Sequence, residues 1–236
     1  MTDVIRRLKH VLIVSSQASE GEPLCAPEHI CALALSALNG GASALRLEGP
    51  ENIKYVRART DVPIIGLTKD TSVPEKDRLS SVYITPTFDD AKALSEAGSD
   101  IIALDCTLRP RKGGATISDI IARVHSELNK PVWADCATID EGIAACKAGA
   151  DIVSTTLSGY TEETALPISD EPDFTLLQKL VKATDKPVIL EGKVWLPEEV
   201  AKAFKLGAYA VVVGSAITRP QLITRRFADA VPKTLG

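Results

Sequence analysis

The 236-residue chain is poor in aromatic residues, with two Trp, four Tyr and four Phe making up 4% of it. So few rings cannot build the stacking platforms on which single-stranded nucleic acid lies. An excess of basic charge is missing too. Lys and Arg number 27 against 31 Asp and Glu, a net charge of −4 at pH 7, which gives no reason to adhere to nucleic acid or anionic lipid. No stretch reaches the ~18 uncharged apolar residues that a membrane-spanning helix requires. The N-terminal segment MTDVIRRLKHVLIVSS runs straight into polar SSQASEGEP without a small-residue cleavage site, so no signal peptide is expected. The cysteines Cys25, Cys31, Cys106, Cys136 and Cys146 are odd in number and contain no CxxC pair. That is neither a disulfide framework nor a zinc knuckle, and it reads as reduced thiols in a cytoplasmic protein. At 45% apolar and 25% charged residues, disorder is excluded as well. A globular protein with a small ligand remains.

The strongest positive signal is a repeating unit. A short run of apolar, often β-branched residues is followed by a polar turn and a helical pattern that stops at Gly. The runs are HVLIVSS (10–16), SALRLEG (43–49), PIIGLTK (63–69), DIIALDC (100–106), PVWADC (131–136), DIVSTTL (151–157), PVILEG (187–192) and YAVVVGS (209–215). Uninterrupted Val/Ile/Leu runs indicate parallel strands covered on both faces. Helix starters precede several of the intervening segments: Pro27-Glu28, Pro197-Glu198, and Thr138 with Glu141 three residues on. Eight such units in 236 residues fit one α/β domain over 1–236, a (β/α)8 TIM barrel. A ninth candidate strand, SVYITPT (81–87), carries Pro86 and is assigned to the third strand-to-helix connection instead of the wall. An open doubly wound sheet is disfavoured, because no G-x-G-x-x-G follows the first strand.

Barrel chemistry lies where the strands end. In order, the ends carry Gln17, Arg46 with Glu48, Lys69 with Asp70, Asp105, Asp135, Thr155 with Thr156, Glu191, and Gly214-Ser215 followed by Arg219. Buried charges cost several kcal/mol unless paired, so a mere scaffold has no need to gather them. His10, His29 and His125 all fall away from strand ends, which argues against a His-ligated metal and against a His base. Proton transfer is left to Lys, Asp, Glu or water.

Lys69 ends an otherwise almost wholly apolar strand. It reads either as a base whose pKa is lowered by burial and by Arg46, or as a rim lysine paired with Asp70 or Glu48. Glu191 reads either as its acid-base partner or as a carboxylate holding Lys193 or Arg219. Strands three and seven lie half a turn apart in an eight-stranded barrel, so the two groups would approach a ligand from opposite sides. Inversion of a C–H stereocentre requires that arrangement. The turns at Gly192 and at Gly214-Ser215 follow strands seven and eight, where barrels commonly bind phosphate through backbone N–H groups.

Together V-S-S-Q-A-S-E-G-E-P-L (14–24), R-L-E-G (46–49), P-I-I-G-L-T-K-D (63–70), A-D-C-A-T (134–138), T-T-L-S-G-Y-T (155–161), E-G (191–192) and V-G-S-A-I-T-R-P (213–220) resemble the N-acetylmannosamine-6-phosphate 2-epimerase family, over residues 10–227 or so. The resemblance implies an isomerase of sialic-acid catabolism acting on a phosphorylated amino sugar, without metal or organic cofactor, as a cytoplasmic homodimer. It implies that Lys69 and Glu191 are catalytic. Gln17, Arg46 and Asp135, with Thr156 and Arg219, would hold the sugar, and Gly192, Gly214 and Ser215 the phosphate. In that scheme Lys69 removes the C2 proton of the open-chain sugar, and Glu191 or a hydroxyl it orients returns one on the other face. A Schiff-base aldolase-type lyase using Lys69, a non-catalytic phosphosugar-binding regulator, and a metal-dependent pentose-phosphate epimerase are the alternatives. Histidine placement speaks against the last, and the Lys69/Glu191 pair against the regulator.

Overall fold

The computed structural model describes residues 1–166 and 169–232. Eight strands, β1 (Leu12–Ser16), β2 (Ala44–Glu48), β3 (Ile64–Leu67), β4 (Ile101–Asp105), β5 (Val132–Asp135), β6 (Ile152–Ser154), β7 (Val188–Leu190) and β8 (Ala210–Val213), pair in sequence order and close on themselves. Every pairing is parallel, with the ring closed by Leu12 opposite Val211. The (β/α)8 barrel expected from the repeat is present. The segment 81–87 forms no wall strand. Ile84 makes an antiparallel bridge to Lys69 inside the connection that follows β3.

Side chains alternate between two cores, as strand geometry requires. Leu45, Leu47, Ile102, Leu104 and Val211 face outward into the layer shared with the helices. Ile13, Ala44, Ile65, Ile101, Trp133, Ile152, Ile189 and Val212 face inward and fill the lumen. The short helix α1 (Asp3–Arg6) and the turn after it bring Ile5 and Leu8 into that inner core. Tyr209 ties this segment down: its hydroxyl donates to the Ile5 carbonyl, and its own carbonyl accepts from the His10 N–H at 2.7 Å. Ile5 and Leu8 thus plug the end of the lumen where the strands begin. The interior is packed at that end, and a ligand must enter where the strands finish.

The outer helices begin and end as their sequences dictate. α2 (Pro27–Asn39) and α8 (Pro197–Lys205) start with proline, whose missing N–H is not needed in a first turn. α6 (Ile139–Ala148) opens with the Thr138–Glu141 capping box. The same device, with Asp as the reciprocal partner, opens α4 (Phe88–Ala97) at Thr87 and α5 (Ile117–Arg123) at Thr116. Gly98 and Gly149 end α4 and α6 in the left-handed conformation, at φ 106° and 107°. The remaining outer helices are α3 (Pro50–Arg57), α7 (Phe174–Ala183), and two after β8, α9 (Ser215–Thr218) and α10 (Pro220–Asp229).

Candidate active site

Inward-facing positions alternate along each strand, so the last inward residues form a polar layer above the apolar lumen. Following the alternation places Gln17, Arg46, Lys69, Asp105, Asp135, Ser154 and Glu191 in that layer. Above it opens a cavity of about 500 Å³, a size suited to one small ligand. Lys69, Glu191, Gln17, Arg46, Thr156, Gly192, Gly214, Ser215 and Arg219 all line it. Asp135 does not.

Asp135 was expected to hold a ligand, but its carboxylate is fully buried and engaged with Arg46. Arg46 reaches across from β2 and grips it with both terminal nitrogens, at 3.0 and 2.5 Å. The same guanidinium lies 3.0 Å from Glu191 Oε2 and sits over the Trp133 ring. Burial opposes the Arg46 charge, but the Asp135 and Glu191 carboxylates overcome it and raise its pKa above the ordinary value. Asp135 therefore positions Arg46, which presents its charge to Glu191 and to the cavity. Breaking so buried a pair leaves an uncompensated charge, at a cost of about 3–5 kcal/mol.

Glu191 follows β7. Its backbone is bracketed by Thr155 Oγ1, which accepts from the Glu191 N–H at 3.1 Å and donates to its carbonyl at 2.8 Å. When Glu191 is ionised, Thr156 donates to its Oε2 at 3.0 Å. Burial pushes the Glu191 pKa up to about 7, against the pull of Arg46, with Asp135 adding to the rise and Thr156 and Lys69 lowering it. The alternative ion pairs with Lys193 and Arg219 do not form. Lys193 instead holds its ammonium over the Tyr160 ring, and Arg219 pairs with Glu22.

Lys69 lies two residues beyond β3, on a backbone stiffened from the other side. Asp70 N–H donates to the Tyr83 carbonyl at 2.8 Å and Thr85 N–H to the Thr68 carbonyl at 3.0 Å. Burial lowers the Lys69 pKa, Glu48 pulls it back up, and Arg219, Arg46 and Arg78 lower it further. Among the described residues no carboxylate forms a salt bridge with it. Asp70 pairs with Lys112 instead, at 3.1 Å.

The rim is assembled from three connections tied together by Arg109. Its guanidinium donates to Asp105 Oδ2 at 2.6 Å, to the Arg78 carbonyl at 2.5 Å and to the Tyr160 carbonyl at 3.4 Å. Asp105, read from its strand-end position as a site residue, serves this tie and does not reach the cavity. Tyr83, Ile84 and Tyr160, which do, were not anticipated as site residues. The signal for the first two was the anomalous segment 81–87 itself, too apolar to be an idle loop. Gly192 (φ +106°) turns the chain sharply after Glu191, in the left-handed region that favours glycine. A Cβ on Gly214 would stand 3.3 Å from Ser15, so glycine also lets β8 end close against β1. α9 begins there with its first N–H groups unpaired within the helix, and Gly214 and Ser215 line the cavity.

Among the described residues no three His, Cys, Asp or Glu side chains group as metal ligands. Burial raises the Cys106 and Cys136 thiols well above their ordinary pKa, as suits packing residues. No described helix is long and apolar enough to cross a membrane.

The sequence and fold have close counterparts. A family model described as "Putative N-acetylmannosamine-6-phosphate epimerase" matches residues 30–233. The chain is 45% identical to a putative N-acetylmannosamine-6-phosphate 2-epimerase of Caldanaerobacter subterraneus, over 95% of this chain and 92% of that protein. With one of the same description from Thermosynechococcus vestitus it shares 47% identity over 93% and 92%. The solved structure of the N-acetylmannosamine-6-phosphate 2-epimerase from Clostridium perfringens superposes with a TM-score of 0.90 at 42% identity, covering 98% of this chain and 97% of that one.

Proposed function

Because this chain belongs to the N-acetylmannosamine-6-phosphate epimerase family, we propose that it interconverts N-acetylmannosamine 6-phosphate and N-acetylglucosamine 6-phosphate by removing and replacing the C2 proton. One observation carries the reading at the level of residues. An amine and a carboxylic acid stand just beyond the ends of the opposed strands β3 and β7, at one cavity, and burial shifts the pKa of each toward neutrality.

The chemistry follows from that pair. In the open-chain sugar the C2 hydrogen is acidified by the C1 carbonyl. Lys69, with its lowered pKa, gives up its own proton more readily than a lysine in water and accepts this one. The developing negative charge lies in a cavity lined by the Arg46 and Arg219 guanidiniums, where low dielectric strengthens their attraction. Glu191, with a pKa near 7, carries a proton to the opposite face or orients a sugar hydroxyl that does. Gln17 and Thr156 hold sugar polar groups. The backbone turns at Gly192 and Gly214-Ser215 receive the phosphate, whose binding far from C2 holds the reactive conformer. The test is NMR in D₂O with N-acetylmannosamine 6-phosphate and no added metal. Deuterium is expected at C2 of both epimers; an unlabelled, unchanged substrate would sink the assignment.

The working form we infer is a homodimer. α10 buries none of its residues, and Phe227 on it is 74% exposed, an apolar surface for which a second copy is the natural cover. Light scattering should give twice the 25.1 kDa chain mass, and a monomer at enzyme concentrations would refute this. A phosphorylated sugar is also a charged metabolite retained where it is made, so the cytoplasm is the expected compartment in amino-sugar catabolism; cell fractionation checks that.

A further inference from the structure

Two hydroxyls connect the buried Asp135 carboxylate to Glu191 at the cavity. Asp135 Oδ1 lies 3.0 Å from Ser154 Oγ, Ser154 Oγ lies 2.7 Å from Thr156 Oγ1, and Thr156 Oγ1 lies 3.0 Å from Glu191 Oε2. Each contact of this length needs one proton between its oxygens, because facing lone pairs repel. Ser154 and Thr156 bring only two protons to three contacts. Trp133 Nε1–H, 2.9 Å from Ser154 Oγ, occupies one of that oxygen's lone pairs and adds no proton along the line. The Ala134 carbonyl, 3.2 Å from Ser154 Oγ, competes for the same hydroxyl proton and deepens the shortage. Both Asp135 oxygens already accept from Arg46, so its carboxylate enters the line as an acceptor. The missing proton falls to Glu191, whose Oε2 keeps a lone pair for the Arg46 nitrogen 3.0 Å away.

We propose that Asp135, Ser154, Thr156 and Glu191 form a chain of four oxygens that is complete only while Glu191 carries a proton. Ser154 is then a positioning residue that sets the pH at which Glu191 gives its proton up. This rests on reading Glu191 as a proton-exchanging carboxyl in the epimerase. Ser154 is fully buried and lies outside the cavity, so it acts only through its neighbours. The charged and titratable groups facing Glu191 are Arg46 from β2, Lys69 beyond β3, Asp135 from β5 and Tyr160 after β6. Removing the Ser154 hydroxyl alters none of their charges. It changes the proton count, and with it the balance between the two forms of Glu191.

The test is a carbon-13 NMR titration of substrate-free protein labelled at its glutamate carboxyls. The Glu191 signal is assigned by its loss in Glu191→Gln. In Ser154→Ala one hydroxyl proton serves the one remaining contact, so protonating Glu191 completes nothing further. Its midpoint should fall by roughly half a pH unit to one unit, the net worth of one hydrogen bond. Ser154→Cys, similar in size but a weak hydrogen-bonding group, should fall by less. Trp133→Phe disturbs the same spot without changing the proton count, and should leave the midpoint in place. An unshifted or raised midpoint in folded Ser154→Ala overturns the proposal, as does a Trp133→Phe shift of equal size. If Ser154→Ala does not fold, an unshifted midpoint in Ser154→Cys is equally decisive. The titration uses no substrate, so the two ideas fail separately. Expected midpoints without C2 exchange would remove the epimerase reading, whereas C2 exchange with an unmoved midpoint would remove the oxygen chain.

Discussion

Lys69→Ala protein should exchange the C2 proton of N-acetylmannosamine 6-phosphate on the order of 10³-fold more slowly than the native protein, within the usual range for losing a general base. The size of the effect follows from where the amine sits. Burial and the nearby Arg219, Arg46 and Arg78 lower its pKa against the pull of Glu48, so the native side chain is uncharged more often than a lysine in water. Lys69→Arg separates the base from the charge. A guanidinium retains the positive charge but is never deprotonated in a protein, so this variant should be as inactive as Lys69→Ala while binding inorganic phosphate normally. If either variant incorporated deuterium at the native rate, proton abstraction would belong elsewhere.

Glu191→Gln should reduce inversion at C2 by 10²-fold or more and divide the reaction in two. The epimer whose C2 hydrogen faces Lys69 should still take up deuterium, with retention, while the other epimer becomes inert. Native kcat/KM should vary with pH by the same factor in both directions, because their ratio is the pH-independent equilibrium constant. The residual exchange of Glu191→Gln should lack the change near pH 7. Stability follows the same group. The folded chain holds this proton up to about pH 7, whereas an unfolded chain releases it near 4.5, so native stability declines as pH rises from 4.5 through 7. A neutral Gln escapes that penalty. Glu191→Gln should therefore melt higher than the native protein at pH 8, with the difference closing toward pH 5. An equal melting temperature at pH 8 would show that Glu191 is not strained by ionisation.

Much of this site was legible in the linear order of residues. Lys69, Glu191 and the Gly214 turn could be located because each follows an apolar run within two residues, and a parallel barrel gathers all such positions at one end. Their surroundings were not legible. Asp105 and Asp135 end adjacent strands and look alike in sequence, yet one ties Arg109 to the rim connections and the other holds Arg46. Arg46 and Asp135 are 89 positions apart on strands that do not touch, so no local pattern couples them. Tyr83, Ile84 and Tyr160 come from connections with no periodicity to betray their direction.

Local chemistry by itself determined the secondary elements, their parallel pairing and the end of the barrel that carries charge. Those features depend only on the spacing of apolar residues, caps and turns along the chain. Which charge neutralises which, and which carboxyl keeps a proton near neutral pH, was decided by closure of the barrel. Closure brings side chains from non-adjacent strands within 3 Å in a medium too dry to screen them, and at that range each group's state depends on its neighbours in space.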